Sequence, residues 1–332
     1  MKKLVIASIV LAAGFVHATK ARLISLQGAD HLVDTQTVLV NPAHIDLLNQ
    51  YITFEMGTPG SNAEGGFSKK LSNGNRIGVY LGHDNSNELR TGAPFIKQRN
   101  PVEVIYGMGN MAFSGSVSTT DDKKNDAKET TLVGKFGMVQ NDWELYTHLT
   151  LLANAEKPTA GNKLNSAPQI KAGGAVNVDD NRYFGGLTFG QYKQDPGGTT
   201  IKDMGAILGW LNRSLKSNET DIYFGARIEY NQKDYSGPKI TKTGLPLFIG
   251  VETPVTTWAI FRASAAQNFI FGETKDEVAG TPAEAVASNS TVSAGLGLKW
   301  GQLSLDGALT AATSGNINGN SFISNAGVSY WF

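Results

Sequence analysis

Glu144, His148 and Thr150 fall within one segment, Trp143 to Leu151, in which polar and apolar residues alternate. Alternation in an extended chain sends successive side chains to opposite sides, so these three share a face. A carboxylate, an imidazole and a hydroxyl are the groups that acyl-transfer sites assemble. The G-x-S-x-G elbow that would present a serine nucleophile does not occur, and no catalytic residue is assigned; the chain is not expected to be an enzyme. His31, His44 and His83 show no helical zinc-pair spacing and there is no cysteine, so no metal site or cofactor is expected. Gly107-Met108-Gly109-Asn110-Met111-Ala112 matches G-x-G-x-x-A, but it joins two alternating segments where a dinucleotide site needs a strand followed by a helix. It reads as a tight turn.

Ten charges, Glu144 among them, share the polar face of their segments: Lys135, Lys171, Arg227, Arg262 and Lys299 with Glu144, Asp203, Asp221, Glu229 and Asp306. Their balance of signs predicts a weakly ion-selective lumen if they line an open pore, or a filled interior if they pair across strands. The elements that must position them are strands of an outer-membrane barrel. Ile222, Phe224, Ala226, Ile228 and Tyr230 oppose Asp221, Tyr223, Gly225, Arg227 and Glu229, and Val292, Leu296, Leu298 and Trp300 oppose Ser293, Gly295, Gly297 and Lys299. Leu303, Leu305 and Leu309 oppose Ser304, Asp306 and Thr310 in the same way. Turning an arginine or lysine to lipid would cost roughly 2–4 kcal/mol at the midplane, which fixes the charged face as the inner one.

No stretch after residue 18 is a long continuous apolar run, yet 41% of residues are hydrophobic and only 17% charged. A closed barrel satisfies every backbone hydrogen bond within the membrane and accommodates such a composition. Tyr51 to Phe332 can be laid out as an all-β, antiparallel, up-and-down barrel of about sixteen strands, with fourteen as the alternative. Short links at 72–75, 109–110, 140–142, 179–180, 213–218, 253–256 and 301 alternate with longer polar ones at 58–65, 84–100, 120–128, 155–167, 194–200, 232–243, 273–288 and 314–320. Outer-membrane barrels have short periplasmic turns and longer outer loops, so both ends of the barrel fall on the periplasmic side.

Met1-Lys2-Lys3, the apolar run Leu4 to Val16 and Val16-His17-Ala18 read as a signal peptide cleaved after Ala18, which directs the chain to a Gram-negative envelope. Removing Lys2 and Lys3 from 29 basic residues leaves 27 against 29 acidic ones, and nothing in that balance suggests nucleic acid. The final strand, with Val328, Tyr330 and Phe332 on one face, reads as the signal met by the barrel-assembly machinery. Lipid and lipopolysaccharide are the expected surroundings, and small solutes the expected cargo. Residues 19–50 carry the helical pieces: Ile24 to Gly28, and Asn41 to Gln50, where Asn41 can cap and Pro42 takes the first position. They read as a periplasmic or lumen-inserted plug.

Ala21-Arg22-Leu23-Ile24-Ser25-Leu26-Gln27-Gly28-Ala29, then Asn41-Pro42-Ala43 just before the first strand, resemble the opening of FadL-type and PorV-type outer-membrane barrels. The resemblance implies a hatch anchored at Asn41, Pro42 and Ala43, a fourteen-stranded barrel, and uptake of hydrophobic compounds such as long-chain fatty acids or a shuttle role for secreted proteins. Leu39, with Leu32, Val33, Val38 and Val40, would then wall the ligand route or pack the plug. The leading expectation is a porin-like channel or passive transporter of small solutes. Hydrophobic uptake, or a closed barrel that binds partners through its loops, are the alternatives.

Overall fold

The computed structural model describes residues 19–56, 63–84, 98, 100–124, 126–157, 161–166, 168–217, 219–277, 283–286, 290–312 and 325–332. The signal-peptide reading and the start of the last strand, Ser321 to Ser324, lie outside them. Eighteen strand segments form one antiparallel sheet. They are β1 (Tyr51–Met56), β2 (Glu64–Lys70), β3 (Arg76–Leu81), β4 (Val102–Gly107), β5 (Met111–Asp122), β6 (Ala127–Val139), β7 (Trp143–Lys157), β8 (Asn162–Ser166) and β9 (Gln169–Val178). The circuit continues through β10 (Asn181–Asp195), β11 (Thr199–Asn212), β12 (Asp221–Asp234), β13 (Lys239–Pro254), β14 (Ala259–Asp276), β15 (Ala283–Val286), β16 (Ser290–Trp300), β17 (Leu303–Ala312) and β18 (Asn325–Trp331).

Among the described residues strands pair with their sequence neighbours, apart from β8 with β9 and β15 with β16, and β1 pairs with β18, Tyr51 opposite Trp331, so the sheet closes on itself. β8 and β9 both lie between β7 and β10, and β15 and β16 both pair with β14. Two wall positions are thus each shared by two segments, and the barrel has sixteen positions. This overturns the fourteen-strand alternative and, with it, the strand number that the FadL-type resemblance implies.

The faces follow the alternation. Leu187, Leu208, Ile228, Val292 and Leu296 are exposed on the outside, whereas Lys135, Arg262, Ser293, Ser304, Asp306 and Ser329 are buried on the inside. Exposed Tyr106, Trp143, Tyr183, Trp258, Trp300 and Tyr330 gather at the rim carrying the short turns. Aromatic girdles of this kind flank the apolar band of membrane barrels. Tyr183 and Phe189, both exposed, stand six residues apart on β10, roughly 20 Å along a strand.

Several connections expected to be long loops are strand. β5 and β6 stay paired to Asp122 and Ala127, β10 and β11 to Gln194 and Thr199, and β12 and β13 to Asp234 and Lys239. Beyond the apolar band both faces of a hairpin are wet, so the period-two signal fades while the ladder continues. Register shifts near Leu132/Val133 and Gly244/Pro246 were also invisible in the pattern.

Residues 19–50 contain α1 (Lys20–Ser25) and two 3-10 helices, Thr37–Leu39 and Pro42–Asp46. The first helix starts four residues earlier than the apolar pattern predicts. It ends at Ser25 because Leu26 leaves the helical region, with φ −121° and ψ 62°, and Gly28 then turns the chain at a φ of 76°, a left-handed conformation suited to glycine. The second is 3-10 and ends at Asp46. Its expected cap is present, with Asn41 Oδ1 accepting from the Ala43 N–H at 3.1 Å and Pro42 following at the first helical position.

Candidate functional site: the occupied lumen

Residues 19–50 lie against the inward side chains of the wall. Two buried apolar cores hold them. Val38, Leu39, Ala43, Ile45 and Leu48 pack with Tyr51, Tyr80, Ile105 and Ala112, and Leu26, Ala29 and Leu32 pack with Phe184, Leu211, Tyr223 and Phe248. Of the apolar residues weighed as a ligand wall, Leu32, Val38 and Leu39 are thus core, while Val40 is partly exposed. Wall glycines allow close approach. A Cβ at Gly137 would stand 2.0 Å from Asn41 Oδ1, and one at Gly295 would stand 2.5 Å from the Ser25 Cβ.

Polar ties surround these cores. Arg22 grips Glu252 with two hydrogen bonds, Nε to Oε2 at 2.8 Å and Nη2 to Oε1 at 2.7 Å. Arg262, fully buried, donates to the same Glu252 and to Asp306, each at 2.5 Å. Asp306 also accepts from the Thr19 hydroxyl at 3.2 Å. The carboxylate, guanidinium and hydroxyl groups alternate, so no charge in this set is left without an opposite partner. Lys20 adds an ion pair to Glu64 and its backbone N–H a bond to Glu55.

The wall also reaches backbone carbonyls of the inserted segment. Lys135 Nζ donates to Leu39 O at 2.7 Å and to Glu103 Oε2 at 2.9 Å, and His148 Nε2 donates to Val40 O at 2.6 Å. Tyr80 and Tyr223 hydroxyls donate to Thr35 O and Gln27 O at 3.0 and 2.9 Å. His148, singled out for its face, is therefore a support for the segment.

A third group lies on the side of β7, β9 and β10. Glu144 accepts from His44 at 2.5 Å, from Asn41 Nδ2 at 3.2 Å and from Arg182 Nη2, while Arg182 Nε donates to Asp30 Oδ2 at 2.9 Å. Close by, Asp221 accepts from Arg213 at 2.9 and 3.0 Å and is 3.0 Å from His31 Nε2. A cavity of about 260 Å³ opens at the short-turn rim beside His31, Glu144, Arg182 and Arg213. A second, of about 210 Å³, lies deeper beside Asp30, Glu144, Lys171, Phe184, Ile207 and Arg227.

Burial acts on the titrations of the inserted segment. Desolvation raises the Asp34 carboxyl to about 6 against the attraction of Arg22, and it raises Asp46 to about 6 against Arg76. The same cause lowers His31, against its hydrogen bond to Asp221. Asp34 Oδ1 accepts from the Gln36 and Thr37 N–H groups, whereas Oδ2 has no hydrogen-bond partner.

Of the ten charges expected on the inner face, Lys135, Glu144, Asp221, Arg262 and Asp306 hold or support the segment. Lys171 and Arg227 line the deeper cavity, with Arg227 paired to Glu229 two residues on. Asp203 stands opposite Lys233 in the β11–β12 ladder, and Lys299 is half-buried near the short-turn rim; neither reaches the segment in any contact described above. Arg22, Asp30, His31, His44, Glu103, Arg182 and Glu252 were missed. Arg182 and Glu252 also obey the alternation, and their parity could have found them. The partners on residues 19–50 had no periodic signal to betray which way they point.

No protein-family model matches the chain, and no curated protein matches its sequence. Among solved structures it is similar to a bacterial polysaccharide outer membrane secretin, at 10% identity and a TM-score of 0.51 over 86% of this chain and 98% of that one. An anion-selective porin from Comamonas acidovorans is similar at 10% identity and TM-score 0.44, over 86% and 97%. OmpT of Vibrio cholerae is similar at 11% identity and TM-score 0.43, over 86% and 96%. The first likeness shows the fold, that of an outer-membrane β-barrel.

Proposed function

We propose that this protein is an integral outer-membrane channel, a passive transporter of small polar solutes whose lumen is narrowed by residues 19–50. One observation carries the reading: the inner wall is polar and charged, and the inserted segment, though tied to it by ion pairs, leaves cavities along its flank that are lined by charged side chains, Glu144, Arg182 and Arg213 at the rim and Asp30, Lys171 and Arg227 deeper. The apolar outer band and aromatic rim support the membrane address, and the short turns are then periplasmic. Lipid and lipopolysaccharide surround the barrel in this reading, and assembly engages β18 through Val328, Tyr330 and Phe332.

Hydrophobic uptake, the activity implied by the FadL-type opening, is the weaker reading. It needs an apolar wall open to a ligand, and Leu32, Val38 and Leu39 are occupied in packed cores. Purified protein in a planar bilayer should give stepwise conductance with weak ion preference, larger when residues 19–50 are deleted. Silence from both forms would sink the channel reading. Fatty-acid binding abolished by Leu39→Asp would favour hydrophobic uptake instead.

A further inference from the structure

Two cavities share one partition. The rim cavity is lined by Arg182 and the deeper one by Asp30, and Glu144 lines both. Between them runs the chain of contacts Asp30–Arg182–Glu144–His44. Two of these side chains, Arg182 and Glu144, belong to the rigid wall, on β10 and β7, and two to the inserted segment. Elsewhere the segment meets the wall through apolar cores, ion pairs and hydrogen bonds to its backbone carbonyls; here it meets it through charged side chains with a cavity on either side.

The wall is also recessed at this place. The inward positions above the partition include Gly173, Gly186 and Gly205, which leave room that Tyr146, Lys171 and Arg227 only partly fill. Ile207 shares the inward parity of Ile201 and Leu211, which are buried, yet Ile207 itself is 42% exposed because it looks into that space.

We propose that small inorganic ions and polar solutes pass between the two cavities along β7, β9, β10 and β11, and that the Arg182 guanidinium closes this route and sets its charge preference. The proposal rests on the channel reading and names its path. Arg182 is held from both sides by carboxylates, Asp30 of the segment and Glu144 of the wall, so the partition needs no movement of the plug to open. Release from Asp30, whose side chain is 39% exposed, lets the guanidinium swing along the wall. Removing the guanidinium leaves Asp30 and Glu144 facing the gap, and the passage should then favour cations.

The test is single-channel recording on the full-length protein with Arg182→Ala, and separately with Asp30→Asn, which leaves the wall intact if the first variant folds poorly. Unitary conductance should rise roughly two-fold or more in Arg182→Ala, with the reversal potential in a KCl gradient moving toward cation preference, and should rise less in Asp30→Asn. Because the chain has no cysteine, Ile207→Cys reports the route directly. A charged methanethiosulfonate reagent added at the short-turn side should modify it quickly only in the Arg182→Ala background. Val38→Cys, at a fully buried position in the segment, should stay unreactive in that background.

Reaction at Val38→Cys would mean that the whole segment has left, and would overturn the partition. Unchanged conductance in both variants, with conduction still gained on deleting residues 19–50, would overturn this route and leave the channel reading standing. Silence in all forms would overturn both.

Discussion

At the scale of single residues, the tie between Arg262 and its two carboxylates is the one most sensitive to substitution. Its guanidinium is buried and shared by Glu252 and Asp306, so Arg262→Met leaves Asp306 with only the Thr19 hydroxyl as a described partner and Glu252 with Arg22 alone. Breaking a buried pair in this way costs about 3–5 kcal/mol, and urea unfolding from lipid vesicles should show a loss of that order. Asp34 gives a prediction of opposite sign. Its folded value of about 6 lies above its ordinary 3.8, so the seated segment binds the proton more tightly than the released one. The cost of burying its charge is therefore fully present above about pH 6 and is relieved as the pH falls toward 4. Asp34→Asn should protect the amides of residues 34–41 from hydrogen exchange at pH 8, by up to roughly 3 kcal/mol, and have little effect at pH 4. A larger effect at the acid end would contradict the assignment.

At the scale of elements, the inserted segment comes closest to the wall where the wall residue is a glycine. Gly137 faces Asn41 and Pro42 so closely that any Cβ would displace the capped turn. Gly137→Val should dislodge Pro42–Asp46 while leaving the β6 ladder paired, and planar-bilayer conductance should rise toward that of the chain lacking residues 19–50. The strands themselves were legible in the sequence because one face meets lipid and the other does not, which writes a period of two into residues such as Ile222 to Tyr230. The hairpin ends that run up to Asp122, Gln194 and Asp234 were not, since both their faces are polar. Nor were the partners of Arg22, Asp30 and His44, because a segment with one short helix and two 3-10 turns has no repeating face to announce what it touches. Half of the charged residues read as lining a lumen instead bind or brace the segment. Parity fixes which side a residue occupies but not what fills that side.

At the scale of the whole molecule, the barrel is a boundary between two solvents, and equal substitutions on its two faces should behave unequally. Leu208 is 66% exposed on the outer face of β11 and sits in the apolar band, so Leu208→Arg should cost about 2–4 kcal/mol when folding into vesicles is measured. Thr188→Arg, on the inner face beside the deeper cavity, should cost much less and should alter conductance instead. Equal losses of stability at the two sites would contradict the assigned faces. The contacts of α1 bear on how such a molecule can be put together. α1 docks on β14, β16, β17 and β18, whereas the turn Pro42–Asp46 docks on β3, β4, β5 and β6. The piece that precedes every strand thus finds most of its seat among the last ones, while Lys20 reaches Glu55 and Glu64 on β1 and β2. Its contacts with β14, β16, β17 and β18 can form only when those strands are in place, and together with those of Lys20 they bridge the two ends of the chain across the seam between β1 and β18. The segment seated in the finished barrel is therefore also a clasp, holding first strands to last where the circle closes.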